Sequence, residues 1–147
     1  MKIPKRIRYG VRALVEIALF YPDRTVAIRE VSQRLKISRK FLENIMGVLK
    51  TAGIVRAVRG TTGGYTVART PAAVTLADVF RAFGALPEIV ACVENPASCP
   101  DAGECPARDT WVELRETVTG ILTRTTLETL VERRKTRTRT ASPLYQI

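Results

Sequence analysis

Apolar side chains recur at helical spacing along the first fifty residues and predict three helices. In residues 7–20 the apolar stripe consists of Ile7, Val11, Leu14 and Ala18. A shorter helix is predicted over residues 27–36. A third helix begins after Ser38, which is a favourable N-cap, and stops at Gly53. Two short helices joined by a tight connection, the second of them capped and basic, indicate a helix-turn-helix.

Two β-prone runs follow, and they predict a hairpin. Residues 54–59 and 65–69 flank the stretch GTTGG, which supplies a glycine-rich tip. The lysine that a nucleotide-binding loop carries after its last glycine is absent, so we interpret the glycines as a hairpin tip. A helix-turn-helix followed by a hairpin is a winged helix. With a fourth helix from about Thr75, it is assigned to residues 1–85 as a DNA-binding domain.

The last third of the chain predicts one long helix and one short helix. Pro106 fits the first position of a helix that runs to about Thr123. Its apolar positions are Trp111, Leu114, Val118, Ile121 and Leu122. Such a stripe outside a small DNA-binding core favours pairing with a second copy, and packing against its own domain is the alternative. Residues 107–135, with a shorter helix around 127–134, are therefore assigned as a dimerisation region.

The predicted fold is mainly α with a small β-hairpin wing, a winged helix-turn-helix plus a long dimerisation helix. Residues 136–147 are rich in Arg and Thr and are predicted to form a mobile basic tail. Residues 86–106 remain as a separate loop between the two helical regions.

Charge is unevenly distributed along the 147 residues. The chain has a formal net charge of +10; residues 1–90 carry 16 basic against 6 acidic residues, and residues 91–147 carry 8 of each. The excess predicts a polyanionic partner, with double-stranded DNA favoured and an anionic membrane surface as the alternative. No segment approaches the roughly 20 apolar residues that cross a bilayer. Arg12 and Glu16 interrupt a signal-like start, so we expect a cytoplasmic protein without a membrane partner.

The predicted second helix of the helix-turn-helix carries a polar face suited to a major groove. Arginine can bind guanine, Glu can accept from cytosine, Asn can contact adenine, and lysines neutralise phosphates. An ordinary solvated face is the alternative for any one of these side chains. On the wing, an arginine is expected in a minor groove, with hydroxyls on phosphates. The predicted DNA-binding residues are Ser38, Arg39, Lys40, Glu43, Asn44, Lys50, Arg59, Thr61 and Thr62.

All three cysteines lie in one short segment, at Cys92, Cys99 and Cys105. Pro96 and Pro100 exclude a continuous helix, so a loop is predicted that can wrap three sulfurs around one centre. Soft thiolates select zinc or iron–sulfur clusters, and the CxxC knuckle usual in zinc sites is missing. An odd number of cysteines argues against a purely intramolecular disulfide scheme. Three unligated thiols are the alternative.

Four features follow one another along the chain: the segment RIRYGVRALVEIAL, the segment SRKFLENIMGVLKTAGIVRAVRGTTGGYTVAR, the three cysteines and a helix that carries a tryptophan. This order resembles the IscR/NsrR family. These bacterial winged-helix regulators sense through iron–sulfur clusters. The resemblance covers roughly residues 1–135. It implies a homodimer on a pseudo-palindromic promoter site, with a cluster bound by the three cysteines. It also favours [2Fe–2S] over [4Fe–4S], and iron, redox state or nitric oxide as the signal.

Two departures from that family leave the fourth cluster ligand open. The family places a histidine three residues after the last cysteine or an acid in the first helix, and Arg108 and Arg8 stand there instead. The first cysteine gap is also one residue longer. Asp109 is a weak candidate, although an acid there also complements a helix dipole. The other candidates are Asp101, Glu104, Glu94, a partner-chain residue or a small exogenous ligand.

Two rival functions follow from the same residues. The first keeps the winged-helix regulator and makes the cysteines a thiol redox switch or a zinc site. The second is an iron–sulfur electron carrier, which the basic N-terminal region disfavours. The sequence contains no histidine and no pair of carboxylates placed for acid–base chemistry, so we predict that the protein is not an enzyme.

Overall fold

A computed structural model describes residues 1–141. Over that range it contains seven α-helices, two short 3₁₀ turns and one antiparallel hairpin. In chain order the elements are α1 (Lys5–Ala18), α2 (Ile28–Leu35), α3 (Arg39–Thr51), β1 (Val55–Val58), β2 (Gly64–Val67), α4 (Leu76–Ala82), α5 (Ala91–Glu94), α6 (Arg108–Arg124) and α7 (Leu127–Ala141). The mainly α fold with a β wing is thereby confirmed. No helix of residues 1–141 is long and apolar enough to cross a membrane.

Helix α1 is the centre of the packing. It contacts α2, α3, α4, α7 and β2, and its C-terminal half is buried almost without interruption. The predicted stripe is confirmed, since Ile7, Leu14 and Ala18 are buried and Val11 packs against the same core. Each fully buried Leu or Ile side chain stabilises the fold by roughly 1.5–3 kcal/mol relative to exposure.

The helix-turn-helix is formed by α2 and α3 with a short connection. Lys36 ends α2 in the left-handed conformation, with φ 53°. Buried Ile37 then leads into Ser38, whose hydroxyl accepts a hydrogen bond from the N–H of Phe41 at 3.3 Å. That N-cap satisfies one of the free N–H groups at the start of α3. The predicted cap and helix are both confirmed.

The hairpin is shorter than the β-prone runs predict. Val55 pairs with Val67 and Val58 with Gly64, so the ladder spans four residues on each strand. Val26 extends it with a single bridge, because its N–H and carbonyl each bond to Tyr65 at 2.9 Å. The segment between α1 and α2 therefore ties the wing to the body of the domain.

Helix α4 begins with a reciprocal capping box. The Thr75 hydroxyl accepts from the N–H of Asp78 at 3.2 Å, and the Asp78 carboxylate accepts from the N–H of Thr75 at 2.9 Å. The chain returns to this point after α6, where the N–H of Leu76 donates to the Thr125 carbonyl and that of Leu127 to the Val74 carbonyl. These contacts join the start of α4 to the connection between α6 and α7.

Two expectations for the C-terminal part are wrong in their boundaries. Helix α6 begins at Arg108 rather than at Pro106, because the backbone N–H of Arg108 closes a turn onto Cys105. Helix α7 continues through Ala141, whereas the composition predicts a mobile tail from residue 136. Its threonine hydroxyls, such as that of Thr136, bond back to carbonyls one turn earlier, so the Arg/Thr repeat is compatible with a helix. Residues 142–147 of the predicted tail lie outside the described residues.

Candidate DNA interface and cysteine segment

Helix α3 separates its apolar and polar residues onto opposite sides. The apolar residues Leu42, Ile45, Met46 and Leu49 are all buried. The polar residues of the predicted reading face, Arg39, Lys40, Glu43, Asn44 and Lys50, are all exposed. At about 100° per residue these five side chains share one side of the helix. Ser38 is also exposed, but its hydroxyl is engaged as the N-cap.

Two residues of the reading face contact each other. The Nε of Arg39 donates to the Glu43 carboxylate at 3.0 Å, one helical turn apart. Both side chains are largely solvated, so the pair contributes little to stability. The pair can therefore open at little cost, which frees Arg39 to donate hydrogen bonds and Glu43 to accept them elsewhere.

The wing tip presents three exposed residues that the sequence singles out, Arg59, Thr61 and Thr62. The tip is held in place because the Thr25 hydroxyl donates to the Thr62 carbonyl at 2.6 Å. Nothing in the sequence pattern pointed to this role of Thr25, which lies in the irregular segment after α1. The contact fixes the position of the tip relative to α2.

The wing glycines are required by close backbone approach. A Cβ on Gly64 would lie 2.5 Å from the Val26 carbonyl oxygen, and one on Gly63 would lie 2.6 Å from that of Val58. Gly60 has a φ of +115°, which side-chain-bearing residues rarely adopt. The predicted hairpin is confirmed by the ladder between β1 and β2, and close backbone approach explains why its tip carries glycines.

A chain of charged contacts connects the region beside the wing to α7. Arg24 bonds to both carboxylate oxygens of Glu30, at 2.8 and 3.0 Å, and Glu30 also pairs with Arg34 at 2.7 Å. Arg34 reaches Glu16 of α1 at 3.5 Å, and Glu16 accepts from the Nε of Arg134 at 3.1 Å. Only 3% of Glu16 is exposed, so it is a buried carboxylate between two arginines. The sequence signal was a charged residue inside the apolar run VEIAL.

Phe20 stabilises the same contacts. Its ring centre lies 3.8 Å from the guanidinium carbon of Arg24 and 4.8 Å from that of Arg34. Both distances are within the range of cation–π attraction. The hydrogen bond from Arg24 lowers the pKa of Glu30, with the charge of Arg34 contributing in the same direction. Glu30 therefore stays ionised, which maintains its contacts with both arginines.

The cysteine segment is not entirely a loop. Cys92 lies in the one-turn helix α5, Cys99 follows a 3₁₀ turn, and Cys105 lies between turns that precede α6. The prolines exclude a helix that runs through them, but they leave room for one turn before Pro96. All three cysteines are half-buried and none is in a disulfide.

The segment is attached to α6 by two arginines. The Nη1 of Arg108 donates to the Cys92 carbonyl at 2.7 Å, and Arg115 pairs with Glu94 at 3.6 Å. Arg108, at the position where the family resemblance leads one to expect a ligand, therefore has a structural contact here. Asp109 is exposed in the first turn of α6, where its charge complements the helix dipole.

The donor chemistry of this segment fits an iron–sulfur cluster, because three free thiols are close in sequence and partly accessible. Over residues 1–141, however, no group of three or more cysteine or carboxylate side chains is arranged to hold a metal ion. The three sulfurs are thus not preassembled around one centre.

The apolar stripe of α6 is only partly covered. Leu122 is buried, while Leu114 and Ile121 are 42% and 43% exposed. Val118 packs against the core and Trp111 is half-buried. The stripe is therefore not satisfied by packing within the described part of the chain.

The chain is similar to known transcription regulators over most of its length. Residues 3–133 match the Rrf2 family, described as iron-dependent transcriptional regulators. The chain is 35% identical to protein rrf2 of Nitratidesulfovibrio vulgaris, over 77% of this chain and 75% of that protein. It is 32% identical to the transcriptional regulator CymR of Bacillus subtilis, over 88% and 89%. It is 29% identical to IscR of Photorhabdus laumondii, over 89% and 79%.

Solved structures give the same result. CymR of B. subtilis, described as the global cysteine regulator, superposes with a TM-score of 0.76 at 30% identity, covering 90% of this chain and 98% of that one. An oxidized form of Staphylococcus aureus CymR superposes with a TM-score of 0.71 at 27% identity, covering 90% and 97%. The resemblance to IscR-type regulators is confirmed. The chain therefore belongs to the Rrf2 family, and it is a winged-helix, DNA-binding transcription regulator rather than an enzyme.

Proposed function

We propose that the chain acts as a homodimer whose affinity for promoter DNA is controlled by an iron–sulfur cluster bound by Cys92, Cys99 and Cys105. One observation carries the proposal. The three free cysteines lie together in the segment that joins the DNA-reading fold to a helix with an exposed apolar stripe. A change in this segment would therefore alter the spacing between the two winged-helix domains of the dimer. The resemblance favours a [2Fe–2S] cluster, with iron, redox state or nitric oxide as the signal.

The proposed DNA contacts divide into phosphate and base contacts. Lys40 and Lys50 are exposed point charges suited to phosphates, and Asn44 is exposed on the same side of α3 and suited to adenine. In gel-shift titrations Lys40→Ala should weaken binding to every DNA sequence alike. It should also reduce the slope of log affinity against log salt concentration by about 1. Asn44→Ala should instead cost about 1–3 kcal/mol and relax specificity at one base pair.

A matched control for the DNA contacts is Arg124→Ala, which removes an exposed cation at the end of α6. We expect it to leave the promoter affinity unchanged. If Lys40→Ala and Arg124→Ala lowered the promoter affinity equally, net charge rather than the contacts of α3 would govern DNA binding.

The proposed dimer rests on the α6 stripe. Removing Leu114 and Ile121 from water across an interface is favourable, whereas a carboxylate among them is strongly unfavourable. Ile121→Asp should give a monomer in sedimentation experiments and lose tight binding to a two-half-site promoter. Thr123→Asp, an exposed position off the stripe, should remain a dimer. A dimer that survives Ile121→Asp would place the interface elsewhere.

The residues that would hold the cluster belong to a segment that is anchored in two places. Val93 and Ala102 are buried, while the residues on either side of Pro96 are exposed. The anchors keep the segment on the protein, and the exposed part has room to move. When bound, the cluster would supply iron that oxidants, nitric oxide or iron shortage can alter or remove. The fourth ligand stays unassigned, with Asp109 as the weak candidate.

The cluster is tested on protein purified without air. Wild type should be coloured and contain iron with acid-labile sulfide, and Cys99→Ala should lose both. Ser98→Ala, the exposed neighbouring position, should retain them. Promoter affinity should differ by about 5–150-fold between loaded and cluster-free protein. Zinc without sulfide, or colourless protein that resists reconstitution, would refute the cluster.

A thiol redox switch is the second candidate. The observation that favours it is that three free, half-buried thiols lie together without an assembled metal site in residues 1–141. The similarity to a CymR solved in an oxidized form supports the same candidate. Mild peroxide should then convert cluster-free protein to a disulfide or sulfenic acid and shift its promoter affinity. Mass spectrometry of the three cysteines distinguishes this outcome from cluster loss.

A further inference from the structure

A groove lined by five arginines lies between α1, α2 and α7. Its volume is about 460 Å³, and no residue of α3 or of the wing lines it. The arginines are Arg12, Arg34, Arg133, Arg134 and Arg137, and the one acid is Glu16. The groove is therefore a concentration of positive charge separate from the reading face.

The positive charge is only partly balanced. Glu16 is buried and binds Arg134 and Arg34, at 3.1 and 3.5 Å. Within residues 1–141, Arg12, Arg133 and Arg137 form no ion pair. Glu16 is thus the one carboxylate in the lining, Arg34 also binds Glu30 at 2.7 Å, and Arg12, Arg133 and Arg137 remain available to an anion.

The remaining walls of the groove are apolar. Val11, Val15, Leu35 and Leu130 contribute to its lining, all of them half-buried or buried. A cavity of this size is within the range of small-molecule sites, which combine apolar walls with a few charged groups. Guanidinium groups bind carboxylates and phosphates through paired hydrogen bonds. A small ligand with an apolar body and anionic ends matches both features.

We propose that this groove binds a small organic acid with two carboxylate or phosphate groups on an apolar frame. One end is held by Arg133 and Arg137, and the other by Arg12 and Arg34. Arg34 also contacts Glu30, which in turn binds Arg24 beside the segment that anchors the wing. A ligand that draws Arg34 away from Glu30 thereby weakens the support of the wing. This last consequence rests on the proposed function, whereas binding itself does not.

The site is tested by titration calorimetry on the full-length protein. The probes are isophthalate, with two carboxylates on a ring, pyrophosphate, with no apolar part, and benzoate, with one charge. Isophthalate should bind one site per chain and benzoate about tenfold more weakly. Arg133→Ala with Arg137→Ala should weaken isophthalate binding by about tenfold or more. A stronger response to pyrophosphate than to isophthalate would contradict the apolar frame of the ligand.

A matched double variant is Lys135→Ala with Arg139→Ala. It removes the same charge from the same helix at positions that do not line the groove. We expect it to bind isophthalate as wild type does. Arg12→Ala, on α1, gives a second test if the first double variant fails to fold. Equal weakening by both double variants, or no saturable binding of isophthalate, would overturn the proposal.

Two further measurements distinguish a ligand site from a contact between copies and test its link to the wing. If the Arg133/Arg137 double variant becomes monomeric in sedimentation, the groove is an interface between copies and the ligand site is refuted. In gel shifts, isophthalate should weaken promoter binding by wild type but not by the double variant. Binding without that effect overturns the link to the wing. A protein that binds isophthalate but no promoter contradicts only the proposed function.

Discussion

Two regions use apolar residues differently: the head, residues 5–83, which contains the winged helix, and the arm, residues 91–124. In the head nearly every helix contributes fully buried side chains, such as Leu14 of α1 and Leu42 of α3. In the arm only Val93, Ala102 and Leu122 are buried. The head therefore satisfies its apolar residues within one chain. The arm leaves apolar side chains exposed, as expected of a surface that is covered by a binding partner.

Core truncation should separate the two regions most strongly. Leu42→Ala removes a side chain with 0% exposure and should lower the unfolding free energy by about 2–5 kcal/mol. Leu114→Ala, at a position 42% exposed, should matter little in dilute protein and more at concentrations at which chains associate. Urea unfolding at two protein concentrations measures both. If both variants lost the same unfolding free energy at both protein concentrations, the proposed difference between head and arm would be wrong.

In the wing, close backbone approach adds a steric requirement to apolar burial. Gly64→Ala would place a Cβ 2.5 Å from the Val26 carbonyl oxygen and 2.6 Å from its carbon, and backbone atoms cannot easily move away. We expect a loss of about 1–3 kcal/mol and weaker promoter binding. Gly47→Ala in α3 meets nothing within 4 Å, so it should stabilise the protein by up to about 1 kcal/mol. Urea unfolding of both variants is the measurement, and a neutral Gly64→Ala would contradict the close approach.

The capping box of α4 should show a smaller, pH-dependent effect. Partial burial opposes ionisation of Asp78, but hydrogen bonds from Thr75 with the nearby Arg69 and Arg81 outweigh it, so its pKa lies below the usual range. A depressed carboxylate pKa stabilises the fold above its unfolded value of about 3.9, and this contribution is lost as pH falls through the folded value.

Removal of the Asp78 carboxylate tests this contribution of the cap. Asp78→Asn should cost about 1 kcal/mol at pH 7 and less near pH 3, where wild type has lost part of the same contribution. The measurement is urea unfolding across that pH range. Glu88→Gln removes an exposed acid that makes no ion pair in residues 1–141. It should change the unfolding free energy neither at pH 7 nor near pH 3. Parallel pH curves for Asp78→Asn and wild type would rule out this role.

Local features of the fold could be predicted from sequence because their causes are local. The 3.6-residue period located α1 and α3, and Ser38 and Thr75 marked helix starts through hydrogen bonds within three residues. Boundaries failed where the turn geometry of the neighbouring segment decided them, as at Arg108, or where composition suggested disorder, as in α7. The polar side of α3 was also predictable, since burial of one side determines which residues face solvent.

The winged-helix architecture, its basic reading face and a segment with three thiols could all be inferred from the order of residues alone. Which distant groups meet depended on the packing of whole helices. Glu16 finds Arg34 and Arg134, 18 and 118 residues away, and Gly64 meets the backbone of Val26. Periodicity and capping act over one or two turns, whereas these contacts join elements far apart in the chain. The arginine groove is also a product of that packing, because its lining comes from α1, α2 and α7.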